Sequence, residues 1–128
     1  MNKDQLTLKL LDRVYAVCRL DKGQPVEQWA LEGDFSSITK TEDEISLVCL
    51  DNKVPSHIKH EGNLRTLKIE GPLDFSLVGI LSKISTLMSN KNIPIFAMST
   101  YDTDYILIKN DEINKAIEIL EQNNYNVI

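Results

Sequence analysis

Long unbroken apolar runs are missing from this chain of 128 residues. A helix needs about 20 consecutive apolar residues to span a bilayer, and no run approaches that, so no membrane-spanning role is expected. The opening residues Met1-Asn2-Lys3-Asp4-Gln5 carry no apolar core of a signal peptide, and a cytoplasmic location is the expectation. Cysteine is scarce: Cys18 and Cys49 stand alone, each inside a strand-like run. Two such thiols in a cytosolic chain read as small buried hydrophobes, not as a bridge or a metal site. Positive charge is also short, with 14 basic residues against 19 acidic ones and a net charge of −5. Without a basic cluster the chain has poor electrostatics for a phosphate backbone, which argues against nucleic acid as a partner. Signatures of catalysis are absent too. There is no phosphate-binding glycine loop, no nucleophile elbow and no serine-histidine-carboxylate set. No catalytic residue and no cofactor is assigned, and an enzyme is not expected.

What is present is an ordinary globular composition, 42% hydrophobic and 26% charged, with a clear order of elements in its second half. Arg65 to Glu70 alternates as a strand does. From Phe75 to Asn90, Leu77, Ile80, Leu81, Ile84, Leu87 and Met88 recur at helical spacing and form one apolar stripe. Ile93 to Met98 and Tyr105 to Ile108 are strand-like and flank a polar turn. Asp111 to Asn123 is a second periodic helix with Ile113, Ala116, Ile117 and Leu120 on its core face, and Asn110 or Asp111 can cap it. Tyr125 to Ile128 closes the order strand-helix-strand-strand-helix-strand. That is the split βαβ, or ferredoxin-like, arrangement of an α+β fold, which names a fold and no activity.

The first half reads mostly as strands. Leu6, Leu8 and Leu10 alternate with polar residues, as do Val14, Ala16, Cys18 and Leu20 with Tyr15, Val17 and Arg19. Val26 to Leu31 has room for one or two helical turns between Pro25 and Gly33, with Trp29 and Phe35 as anchors to the sheet. Ser36 to Lys40 and Ile45 to Leu50 form a hairpin around Thr41-Glu42-Asp43-Glu44. Asp51 to Gly62 is a loop or a short, poor helix. Arg65 to Glu70 can serve either half, or the Leu6 to Leu10 strand is exchanged between them.

Two stretches carry a resemblance to a known family. They are Glu70-Gly71-Pro72-Leu73-Asp74-Phe75-Ser76-Leu77-Val78-Gly79-Ile80-Leu81 and Ile95-Phe96-Ala97-Met98-Ser99-Thr100-Tyr101-Asp102-Thr103-Asp104-Tyr105. Together they resemble the ACT-domain family, and within it small bacterial tandem-ACT proteins, the ACT modules of aspartate kinases and CASTOR-type arginine sensors. The resemblance covers Leu64 to Ile128. It implies two modules in tandem, a degenerate N-terminal ACT-like one over residues 1–63 and an ACT module over residues 64–128. It also implies a regulatory, allosteric module without catalytic activity, a small-molecule ligand of amino-acid type, a homodimer, and a regulated enzyme as a possible partner. The ligand site would lie between ACT modules, within one chain or across a dimer.

The implied ligand-binding residues are Asp74, Phe75, Ser76, Leu77, Val78, Gly79, Thr100 and Asp104. A helix N-terminus offers free N–H groups and a partial positive charge, which suit a carboxylate. The carboxylate would meet N–H groups near Ser76, Leu77 and Val78, and the ammonium Asp104 or a backbone carbonyl. Each residue also has a plainer use. Asp74 or Ser76 can cap the helix, Gly79 can serve packing, and Asp102 and Asp104 can cap N–H groups in a turn. In a helix interior a glycine costs about 1 kcal/mol against alanine, so a ligand or a neighbouring backbone approaching closely would account for Gly79.

His57 and His60 have helical spacing but no third ligand nearby, whereas zinc sites use three or four, so a solvated loop is expected there. The rival readings are a scaffold or interaction subunit that binds no ligand, and a small ferredoxin-like enzyme. The latter needs a perturbed acid or base that no residue here suggests.

Overall fold

A computed structural model of the chain describes residues 5–70 and 79–128. Along these residues run β1 (Thr7–Leu10), β2 (Tyr15–Asp21), β3 (Ser37–Lys40), β4 (Glu44–Leu50), β5 (Lys59–Glu70), α1 (Ile80–Asn90), β6 (Phe96–Ser99), β7 (Asp104–Lys109), α2 (Ile113–Gln122) and β8 (Asn126–Val127). The chain divides into two compact units, a larger one of Met1–Asp12 with Arg65–Ile128 and a smaller one of Arg13–Leu64. Among the described residues no helix is long and apolar enough to cross a membrane.

In the larger unit the strands lie in the order β8-β1-β5-β7-β6. With β1 set aside, the order is fourth, first, third, second of a split βαβ, as the alternation of elements predicts. β1 takes the place beside β5. It runs antiparallel to it, with Leu8 opposite Ile69 and Leu10 opposite Leu67, and parallel to β8. The expected division at residues 63 and 64 therefore differs from the observed one in residues 1–12, which go with the second half. The physical reason is pairing: Leu8 has its fully buried neighbours Leu67 and Ile69 there, and Asn126 and Ile128 donate to the carbonyls of Leu6 and Leu8 at 2.9 Å.

Pairing also decides which side chains meet. Leu8, Leu67, Ile69, Ile106 and Ile108 share one sheet face, and Ile84 and Met88 of α1 with Ile113, Ala116, Ile119 and Leu120 of α2 close over it. The expected stripe of α1 is present, with Ile84 and Met88 buried and Ile80, Leu81 and Leu87 half-buried against the same cluster, while Lys83 and Asn90 are exposed. Its first expected residues, Phe75 to Val78, lie outside the described residues. Along α2, Ile119 is buried and Ile117 only half-buried, so the core face is rotated slightly from the expected one.

The α2 cap differs as well: Glu112 occupies the N-cap, and its side chain makes no capping bond. Asn110 and Asp111 precede the cap position, so neither side chain serves. Both helices end alike. Asn92 and Asn124 take positive φ of 58° and 70°, and Ile93 and Tyr125 donate back to Met88 and Leu120 at 2.9 and 3.0 Å. Asparagine tolerates this left-handed conformation, and the back-bonds satisfy carbonyls the helix end leaves free.

The smaller unit repeats the split βαβ strand order, β3-β4-β2-β5, using the first residues of β5. In the helix positions it has only the short 3-10 turns Gln28–Leu31 and Asp51–Lys53. Its core is Ala16, Cys18, Leu20, Ala30, Ile45, Leu47 and Cys49, with Val26, Trp29, Val54 and Ile58 packed around it. Trp29 thus anchors the turn as expected. Phe35 does not. It meets Tyr15 edge-on at 5.4 Å between ring centroids, and Tyr15 alternates onto the strand face opposite Ala16 and Cys18. The expected loop at 51–62 ends early, because β5 already begins at Lys59. A bulge follows, where Tyr15 opposes Leu64 but Val17 opposes Glu61. Asn63 turns through φ 58° there, and its N–H donates to Asp51 Oδ1 at 3.4 Å.

Candidate functional site

Of the candidate ligand residues, Asp74, Phe75, Ser76, Leu77 and Val78 lie outside the described residues. Gly79 is described, and its explanation changes. It stands before the first turn of α1, not inside the helix, with φ 80° and ψ 8°. Among the described residues a Cβ there would meet no protein atom within 4 Å, so no described neighbour needs the glycine. The left-handed backbone does, since only glycine takes it at no steric cost. A glycine cannot cap with a side chain, and among the described residues no side chain caps the first N–H groups of α1, the state in which a helix start attracts an anion.

The turn between β6 and β7 is built by threonines. Thr100 N donates to Thr103 O at 2.8 Å, and Thr100 Oγ1 donates to the same carbonyl at 3.2 Å. Thr103 N donates to Thr100 Oγ1 at 3.3 Å. The turn N–H is therefore held by Thr100, not by Asp102, which is exposed. Asp104 opens β7, half-buried, and its Oδ1 accepts a hydrogen bond from Ser99 Oγ at 2.5 Å. Ser99 fixes the carboxylate's orientation, and Oδ2 has no partner among the described residues.

Thr103 is the residue the sequence reading missed. Its side chain is buried, and its Oγ1 donates to the carbonyl of Ile69. Ile69 is the last residue but one of β5, the strand that leads into the segment before α1. One hydrogen bond thus joins the β6–β7 turn, which bears Thr100 and Asp104, to the end of β5. Its signal in the sequence is a second threonine in a short polar turn, which many solvated turns share.

A separate open groove of about 380 Å³ lies between α1 and the end of α2, lined by Ser82, Lys83, Thr86, Leu87, Asn123 and Tyr125. Burial pushes the Tyr125 phenol up from its ordinary pKa. The lining holds a cation and no carboxylate, so it lacks the second charge that gripping both ends of an amino acid requires, and it contains none of the candidate residues. His57 and His60 are both exposed, the latter on β5 with Nδ1 at 2.7 Å from the Ile58 carbonyl. Among the described residues no group of three or more His, Cys, Asp or Glu side chains is placed to hold a metal ion.

Comparison with known proteins adds the following. The family model described as an ACT domain matches residues 59–122, half of the chain. A second model, described as an N-terminal domain, matches residues 13–57 and starts where the smaller unit starts. No curated protein matches the chain. A crystal structure of an Agobacterium tumefaciens protein is similar at 31% identity and a TM-score of 0.91, covering 97% of this chain and 92% of that one. The ligand-free regulatory subunit of aspartate kinase from Thermus thermophilus is similar in fold at 14% identity and a TM-score of 0.59, covering 90% of this chain and 95% of that one. Aspartate kinase from Clostridium acetobutylicum is similar at 16% identity and a TM-score of 0.70, and the likeness spans 95% of this chain but 35% of that one.

Proposed function

Because the chain belongs to the ACT-domain family, we propose that it is a regulatory module that binds a small molecule, an amino acid, and carries out no reaction of its own. The α-carboxylate sits against the segment from Asp74 to Gly79 and the start of α1. The ammonium pairs with Asp104, and Thr100 borders the site. Two charge-assisted contacts hold the backbone end common to all amino acids, and pocket shape reads the side chain. The observation that carries this reading is the bond from Thr103 to Ile69, which ties the turn bearing Asp104 to the strand exit before the helix.

A second copy of the chain completes the site in this reading. β6 pairs only with β7 among the described residues, and Phe96-Ala97-Met98-Ser99 offers an uncharged edge with Phe96 38% exposed. Such an edge is a template for pairing, and an isologous pair of chains follows from symmetry. A ligand bridging two copies favours the arrangement in which both sets of contacts form, which is how binding becomes regulation of an attached or associated enzyme. The smaller unit serves as a reduced ACT-like module, and the cytoplasm is the compartment where free amino acids would be sensed.

A thermal-shift screen of the twenty amino acids tests the reading, because a ligand specific to the native state raises the melting temperature in a concentration-dependent way. Calorimetry on a hit should then show weaker binding for Asp104→Asn. If no amino acid moves the melting temperature, the ligand-free scaffold takes the place of this reading.

A further inference from the structure

Cys18 and Cys49, separated by 31 positions in the chain, meet inside the smaller unit. In the β2–β4 pairing Cys18 lies opposite Leu47 and Cys49 opposite Ala16, so the cysteines are diagonal neighbours on the face that carries the unit's core. Their Sγ atoms are 3.7 Å apart and share one S–H hydrogen bond. Both are free thiols, 1% and 0% exposed.

The shared bond makes the two thiols unequal. Either sulfur can donate it; with Cys49 as the donor, the Cys18 pKa is drawn down from its ordinary value, and Cys49, also buried, is pushed up. Cys18 is then the better nucleophile, since the thiolate is the reactive form, and Cys49 is placed to resolve what forms on it. The cover over this face is thin. It consists of the turn Gln28–Leu31, with Ala30 buried and Trp29, Val26, Val54 and Ile58 around the cluster. A cover of one short turn opens locally at low cost, and a peroxide is little larger than water.

We propose that Cys18 and Cys49 form a reversible disulfide on reaction with a peroxide, so that the β2–β4 pairing of the smaller unit carries a redox-responsive staple. In the first step the Cys18 thiolate attacks one peroxide oxygen. The O–O bond breaks, hydroxide leaves and becomes water by taking up a proton, and Cys18 becomes a sulfenic acid. In the second step the Cys49 sulfur attacks the Cys18 sulfur. The S–O bond breaks, and the departing hydroxide takes the Cys49 proton to form a second water. Two thiols lose two electrons in all, and one hydrogen peroxide gains them. The sulfurs must close from 3.7 Å to about 2.05 Å.

The test treats the folded, reduced chain with hydrogen peroxide, blocks remaining thiols by alkylation, and maps the unreduced digest by mass spectrometry. A peptide linking Cys18 to Cys49 within one chain, with both thiols lost together and recovered by dithiothreitol, is the expected result. In Cys49→Ser, whose hydroxyl can still donate to Cys18 but cannot form the bridge, Cys18 should stop at the sulfenic acid and react with dimedone. In Cys18→Ala, Cys49 should stay alkylatable over the same time. The proposal is overturned if both wild-type thiols remain alkylatable under peroxide that oxidises glutathione in the same tube, or if the only bridge joins two chains. The wild-type outcome decides the matter even where a variant fails to fold.

Discussion

The two units share one strand order and differ in what covers it. In the larger unit the segments between strands fold as α1 and α2, and their buried faces bring six side chains onto the sheet. In the smaller unit the corresponding segments are the turns Gln28–Leu31 and Asp51–Lys53, and the first contributes Ala30 as its buried residue while the second contributes none. Strand order follows from alternation and short connections, which both halves possess. A full helix needs a long apolar-periodic segment, which residues 80–90 and 113–122 supply. Residues 22–36 do not, broken as they are by Pro25 and by Gly33, which turns at φ 89°. Order and cover are therefore separate outcomes of sequence, and the second sets how deeply each core is sealed.

The largest effect should come from the well-sealed unit. Ile84→Ala removes a side chain buried beneath α1 and should lower stability by about 2–5 kcal/mol, read from the urea midpoint at constant slope. A loss below about half a kilocalorie, the range of ordinary surface substitutions, would mean that α1 does not seal this core.

Trp29→Ala removes the main half-buried anchor of the thin cover. Its cost should fall below the ~3–5 kcal/mol of a fully buried Trp, at about 1–3 kcal/mol. Hydrogen exchange on the wild type sharpens the same point: amides of Gln28–Leu31 should exchange well before those of α1. Equal protection would erase the contrast between the covers.

Gly79→Ala forces a Cβ into left-handed backbone before α1. The expected loss is about 1–2 kcal/mol, the cost of that conformation for an L-residue, with no clash to relieve. An unchanged melting curve would show that the helix start adopts another backbone.

Smallest in stability, and most informative about function, is Asp104→Asn. The site is half-buried and the bond from Ser99 can be kept by the amide oxygen, so stability should move by under about 0.5 kcal/mol. Amino-acid affinity should nonetheless drop. A ligand that binds both forms equally would remove Asp104 from the site and leave the fold assignment untouched.

Legibility in the sequence followed the range of each interaction. The α1 stripe, the β3–β4 hairpin and the threonine-rich turn depend on neighbours within a few positions, and residue spacing exposes them. The caps were less legible: Gly79 looked like a helix-interior glycine because its positive φ leaves no mark on residue spacing. Phe35 meets Tyr15 instead of anchoring the turn with Trp29, because that contact joins it to a residue far back in the chain. Of the candidate site, Asp104 and Thr100 were visible as polar residues in a turn, but Thr103, which links that turn to β5, was not.

By itself the sequence determined the ferredoxin-like order of elements in the second half and the apolar stripe of α1, because periodicity and turn chemistry are local; the ACT-domain family entered as a resemblance carried by two stretches of residues. The tertiary structure alone decided that β1 pairs beside β5, that Thr103 reaches Ile69, and that Cys18 meets Cys49. Each of those contacts joins segments far apart in the chain. Their partners are selected by strand register and by burial of matching faces, quantities that exist only once the sheet has formed.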